Sequence, residues 1–187
     1  MQILRRIAGA IDALNDRIGV VIRWMALFMV LVGAVSAVAR YFARSQQWTL
    51  NLTPATELQW YFFSVIFLMG AAYGLNHDVH VRVDVMYERL SAKAQAWIDL
   101  AGTVLFLIPF CVMMLWVSYP AVMNSWQIRE QSPDPGGLPR YPIKILILVS
   151  FALLVLQAIS QLSKQLDVIL GIAPELDHHE DEPEVHV

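Results

Sequence analysis

LQWYFFSVIFLMGAAYGLN, residues 58–76, contains no Asp, Glu, Lys or Arg. As an α-helix rising 1.5 Å per residue it spans about 28 Å, close to the roughly 30 Å of a bilayer's hydrocarbon core. Six aromatic residues and a run of branched aliphatics leave no polar face for water. The stretch therefore reads as a membrane-spanning helix, and the rest of the chain has to fit a bilayer.

It does so three more times. The expected spans are residues 20–41, 57–76, 94–119 and 143–166, which together make a four-helix membrane domain over 20–166. Of the 187 residues 57% are hydrophobic and 16% charged, and the mean hydropathy is +0.52. Soluble domains carry about a quarter charged residues, so the fold class is an all-α integral membrane protein. The net charge of -3 leaves no basic excess for phosphates and argues against a nucleic-acid partner. Cys111, the single cysteine, lies inside an apolar run and reads as a small buried side chain.

Residues 1–19 place Ile3, Leu4, Ile7, Ala10, Ile11, Leu14 and Ile18 at helical spacing, with Arg5, Arg6, Asp12 and Asp16 elsewhere. This pattern predicts an amphipathic interfacial helix ahead of the first span. That span starts too deep in the chain and is too long for a cleaved signal peptide. Cations then orient the spans. Arg5, Arg6, Arg17, Arg23, Arg82, Arg89, Lys93 and Lys164 fall on one side; Arg40, Arg44, Arg129, Arg140 and Lys144 fall on the other. The bias puts both termini in the cytoplasm. Residues 167–187 form an acidic tail with two prolines, too polar to fold alone.

Polar groups inside such a chain need reasons. Thr53-Pro54 is a helix start, so Glu57 falls near a helix N-terminus, where the macrodipole favours an anion. Gln59 and Trp60 beside it suit a polar and aromatic contact at the interface. Residues 124–144 hold Pro133, Pro135, Pro139 and Pro142 with Gly136 and Gly137, a stiff, turn-rich docking loop. No histidine lies in any span, which argues against haem ligation within the bundle, and no cofactor is expected. The spans carry no Asp, Glu or Lys near their middles, so no intramembrane ion relay is legible. No catalytic motif is visible either, and the chain reads as a non-enzyme.

HDVHVRVDV, residues 77–85, follows directly on the second span. As a strand it would put His80, Arg82 and Asp84 on one face; as a helix, His80 and Asp84 share a face and Arg82 turns away. Neither geometry gathers His77, Asp78, His80 and Asp84 round one point. The segment reads instead as a corner between helices, its valines in the interfacial layer and Arg82 reaching headgroups or Asp84.

ELQWYFFSVIFLMGAAYGLNHDVHVRVDVMYERLS, then LIPF, NSWQIREQSPDPGGLPRYPIK and LLVLQ, in this order and spacing, resemble the small membrane subunit, DctQ type, of tripartite ATP-independent periplasmic (TRAP) transporters. The resemblance covers residues 23–166. It implies two protein partners: a large membrane subunit, DctM type, carrying the substrate and ion sites, and a periplasmic solute-binding protein, DctP type. Membrane phospholipid surrounds the complex. It also implies a scaffold in the bacterial inner membrane that braces the large subunit during ion-gradient-driven uptake of an organic acid. Glu57, Gln59, Trp60, His80, Arg82, Asp84, Glu130, Ser132 and Lys144 match the family pattern and are implied in interfacial or structural packing. The competing readings are an independent four-span channel or exporter, and a redox anchor holding a metal through His77, His80 and Asp84.

Overall fold

The computed structural model describes residues 2–77, 79, 87 and 89–172. Helix α1 runs Gln2–Ser45, α2 Thr53–Asn76, α3 Ala92–Gly102, α4 Ile108–Gln127 and α5 Tyr141–Ile169; a π-helical turn, Thr103–Leu107, joins α3 to α4 into one rod. Among the described residues four helical stretches are long and apolar enough to cross a membrane, as the hydropathy pattern requires.

The helix ends follow from local chemistry. The Asn51 side-chain oxygen accepts from the Thr53 N–H at 3.0 Å, satisfying an otherwise orphaned donor at the start of α2, where Pro54 needs none. α1 and α4 close with left-handed residues, Gln47 (φ 55°) and Arg129 (φ 47°), and Gly171 (φ 67°) follows α5. Beyond each, an N–H returns to a carbonyl of the last turn: Trp48 to Ala43, Glu130 to Ser125 and Ile172 to Asp167, at 2.9–3.0 Å. This is the Schellman closure, which caps carbonyls the helix has left open. The π turn also has a local cause. Pro109 has no N–H and its ring crowds the carbonyl four residues back, Leu105, so the preceding turn widens.

α5 is the hub. It packs against α1, α2, α3 and α4, and α1 packs in addition along α2. Its buried positions, Ser150, Leu153, Gln157, Ala158, Ser160, Ser163 and Asp167, mostly recur every three or four residues and are mostly small or polar. Small residues let helix backbones approach closely where lipid supplies no hydrophobic drive. Met69, Ala72 and Leu153 form the apolar centre, with Ile18, Ile22, Val65 and Leu68 against it. The Tyr73 ring lies over Gly19 so closely that a Cβ there would sit 2.3 Å from it.

Three boundaries differ from the sequence expectations. The N-terminal amphipathic segment is not a separate helix: residues 2–45 are one unbroken helix. At 44 residues it is about 66 Å long, twice a hydrocarbon core. No proline interrupts it near residue 20, and Ala8, Ile11 and Asn15 are buried because that part of the helix packs within the bundle. The third span reaches Gln127, shortening the proline-rich loop to residues 128–140. α5 extends to Ile169 and takes Asp167 from the expected tail. Residues 173–187, and with them the rest of the tail, lie outside the described residues.

Candidate functional site

Two polar clusters form, one at each end of the bundle. At the end carrying the two loops, Glu57 is only 4% exposed, and its carboxylate is fully engaged. One oxygen accepts from the Ser132 hydroxyl and the other from the Leu138 N–H, and the Arg140 guanidinium stands 4.0 Å away. One turn further, the Tyr61 hydroxyl donates to the Pro139 carbonyl, with that of Leu138 3.3 Å away. Asn51 donates to the Pro135 carbonyl at 3.1 Å. Three side chains bracketing the start of α2 thus hold the loop down over it. A buried carboxylate is tolerable only when paired and hydrogen-bonded, and here the loop backbone itself is among the donors.

A second carboxylate ties the loop's two ends together. Glu130 accepts from the Ser125 hydroxyl at 2.6 Å and from the Lys144 ammonium. Its own carbonyl takes the Arg140 N–H at 2.9 Å. The Schellman turn at Arg129 swings Glu130 back to Ser125, and Lys144 lies in the first turn of α5, so α4 and α5 are clamped. The hydrogen bond from Lys144, then that from Ser125, hold the Glu130 carboxyl below the usual carboxylate range.

At the opposite end a network joins α1, α2 and α5. Asn15 and Gln157, both 0% exposed, meet amide to amide at 2.5 Å. The Gln157 NH₂ group donates to Asp12 at 3.0 Å and to Asn76 at 2.9 Å. Ser160 donates to Asp12 at 2.8 Å, and Lys164 lies 2.9 Å from the same carboxylate. Asp16 accepts from Asn76 at 3.1 Å and sits 2.9 Å from His77. Arg5 pairs with Asp167 at 2.7 Å. From Glu57 to Asn76 along α2, and from Lys144 to Lys164 along α5, the rise is about 28–30 Å. The two belts are therefore one hydrocarbon thickness apart.

Glu57, Ser132, Glu130 and Lys144 are brought together as one assembly. Gln59 is turned away from them and donates to the Ser36 hydroxyl of α1 at 3.3 Å; Trp60 is 60% exposed on the outer face of α2. His80, Arg82 and Asp84 lie outside the described residues, and His77, part of the metal reading, pairs with Asp16. Sequence reasoning missed Arg140, Tyr61, Asn51 and the Leu138 N–H. It also missed the whole Asp12–Asn15–Gln157 network.

Two open clefts flank the Trp60 indole. One, of about 380 Å³, is lined by Arg40, Thr53, Thr56, Glu57, Trp60 and Asp134 among others. The other, about 220 Å³, includes Tyr61, Ser64, Arg140 and Lys144.

The sequence pattern of one family, described as tripartite ATP-independent periplasmic transporters, DctQ component, matches residues 29–167. No curated protein and no solved structure matches the chain.

Proposed function

Since the chain belongs to the DctQ family, and so is the small membrane subunit of a TRAP transporter working with DctM and DctP components in the bacterial inner membrane, we propose that it is a non-catalytic brace. It holds the scaffold of the large subunit still while that subunit takes up an organic acid, driven by an ion gradient. Both termini are cytoplasmic, so the loops at residues 46–52 and 128–140 face the periplasm, where DctP delivers solute. Phospholipid covers the faces that the large subunit leaves open, and no nucleic acid is involved.

The observation that carries this reading is where the buried polar groups go. Glu57, Glu130, Asn15 and Gln157 are each spent on joining this chain's own helices or loops. Between the two belts the centre is Met69, Ala72 and Leu153, and the buried Ser150 hydroxyl is used on the Leu68 carbonyl at 2.6 Å. A transport path needs polar groups facing a cavity, whereas a brace needs rigidity and a large apolar exterior. In this reading Glu57, Ser132, Glu130 and Lys144 shape the periplasmic loop, Gln59 fixes α1 to α2, and His80, Arg82 and Asp84 set the cytoplasmic corner.

Reconstitution tests it. Proteoliposomes holding the large subunit and this chain should take up solute with DctP and an ion gradient. Leaving this chain out should abolish uptake and lower the thermal midpoint of the large subunit. Flux through liposomes holding this chain alone, or full uptake without it, would overturn the reading.

A further inference from the structure

The larger cleft lies at the loop end of the bundle, in the polar belt that the proposed topology makes periplasmic. Its α2 wall includes Thr53, Thr56 and Trp60 beside Glu57; the first three are three and four apart and so lie on one helix face. The same face continues towards the bilayer centre with Phe63 and Phe67, 59% and 68% exposed, stacked at 6.2 Å. A polar cleft at headgroup depth thus leads into an aromatic stripe at acyl depth. The cleft also carries separated charges: Arg40 from α1, with no ion pair among the described residues, and the exposed Asp134 from the loop. Glu57 also lines the cleft, but its oxygens are turned to the Ser132 hydroxyl and the Leu138 N–H, and the Arg140 guanidinium 4.0 Å away offsets part of its charge.

We propose that this cleft seats one zwitterionic phospholipid of the outer leaflet, with a primary-amine headgroup. The phosphate pairs with Arg40, the ammonium reaches Asp134, and the indole of Trp60 lies at the ester level, where aromatic side chains favour the interface. An acyl chain runs down Phe63 and Phe67. Two opposite charges in one cleft discriminate against phosphatidylglycerol, which brings only the anion. They also discriminate against phosphatidylcholine, whose methylated ammonium has no N–H to give Asp134. The site rests on the membrane reading of the chain and on the periplasmic placement of the 128–140 loop.

Native mass spectrometry of the purified complex with the large subunit tests it, with phosphatidylethanolamine, phosphatidylglycerol and phosphatidylcholine supplied in equal amounts. The complex should retain phosphatidylethanolamine preferentially. Arg40→Ala should reduce retention several-fold, Arg40→Lys should largely keep it, and Asp134→Asn should erase the preference over phosphatidylcholine. A photo-reactive benzoylphenylalanine at Phe63 should yield a phospholipid adduct. Equal retention by wild type and Arg40→Ala would overturn the proposal, and so would a Phe63 cross-link to the large subunit in place of lipid. Co-purification of the large subunit, read from the same spectra, reports separately on the brace.

Discussion

A Cβ on Gly137 would lie 2.7 Å from Oε2 of Glu57. The missing side chain is what lets the loop backbone close over the buried carboxylate and offer it the Leu138 N–H. The same Cβ would meet Ser132 Cβ at 2.4 Å and its hydroxyl oxygen at 2.5 Å, so neither side of the contact can retreat easily. Gly137→Ala is expected to destabilise the chain by about 1–3 kcal/mol, the usual cost of overpacking. Gly9, whose added Cβ would meet nothing within 4 Å, is the control: Gly9→Ala should be neutral or stabilising by up to about 1 kcal/mol. Reversible unfolding in mixed micelles measures both, and equal effects would remove the steric argument.

The fully buried Gln157 donates to both Asp12 and Asn76 and accepts from Asn15. Gln157→Leu keeps the shape and removes all three bonds. It should cost about 1–3 kcal/mol, because the Asn15 amide is left buried without a partner. Ser150→Ala, which gives up a single bond to a helical carbonyl, should cost only about 0.6 kcal/mol, typical of interhelical bonds in membranes. The ranking of the two variants in the same unfolding assay checks the argument.

Acid should loosen the loop through Glu130. Its folded carboxyl is held low by Lys144 and Ser125, so the stability it adds is present above the unfolded value, about 4.3. That contribution is lost as pH falls through the lower folded value. The thermal midpoint of the wild type should therefore hold from neutrality to about pH 5 and drop below it. Glu130→Gln should be less stable at pH 7 and should lose part of that acid slope. An acid slope identical in the two proteins would exclude this role.

Arg5 and Asp167 join the start of α1 to the end of α5 at 2.7 Å, and the Arg5 side chain is half exposed. Arg5→Glu should lower the midpoint at low salt, and less at high salt, because exposed pairs are screened. Adding Asp167→Arg should restore it. Failure of the exchanged pair to recover any stability would mean that the contact does not hold the two ends together.

Hydropathy made the four spans legible, because a helix in lipid must be apolar over a fixed length whatever it packs against. The prolines and glycines of the 128–140 loop were equally plain, as were Glu57, Ser132, Glu130 and Lys144 within the family pattern. Their partners were not. Gln157 and Asn15 are 142 positions apart, and no local period links them. The signal that existed was a lone glutamine in LLVLQ, since an amide deep in an apolar helix demands a partner. Gln59 and Trp60 looked like one motif because they are adjacent, but neighbouring helix positions point in different directions. Reading residues 1–19 as a separate helix followed a change of composition where no stop signal stood.

Because α5 is made after the other described helices and is the hub against which they pack, biogenesis inherits an order problem. As α1 and α2 leave the ribosome and enter the bilayer, Asp12 lacks Lys164, Asn15 lacks Gln157, and Glu57 lacks the 132–138 loop. The early hairpin must wait, incompletely neutralised, until the 132–138 loop and then α5 arrive. A stall or truncation before residue 132 would leave all of those groups without these partners, a plain mark by which membrane quality control could distinguish an unfinished subunit from a finished one.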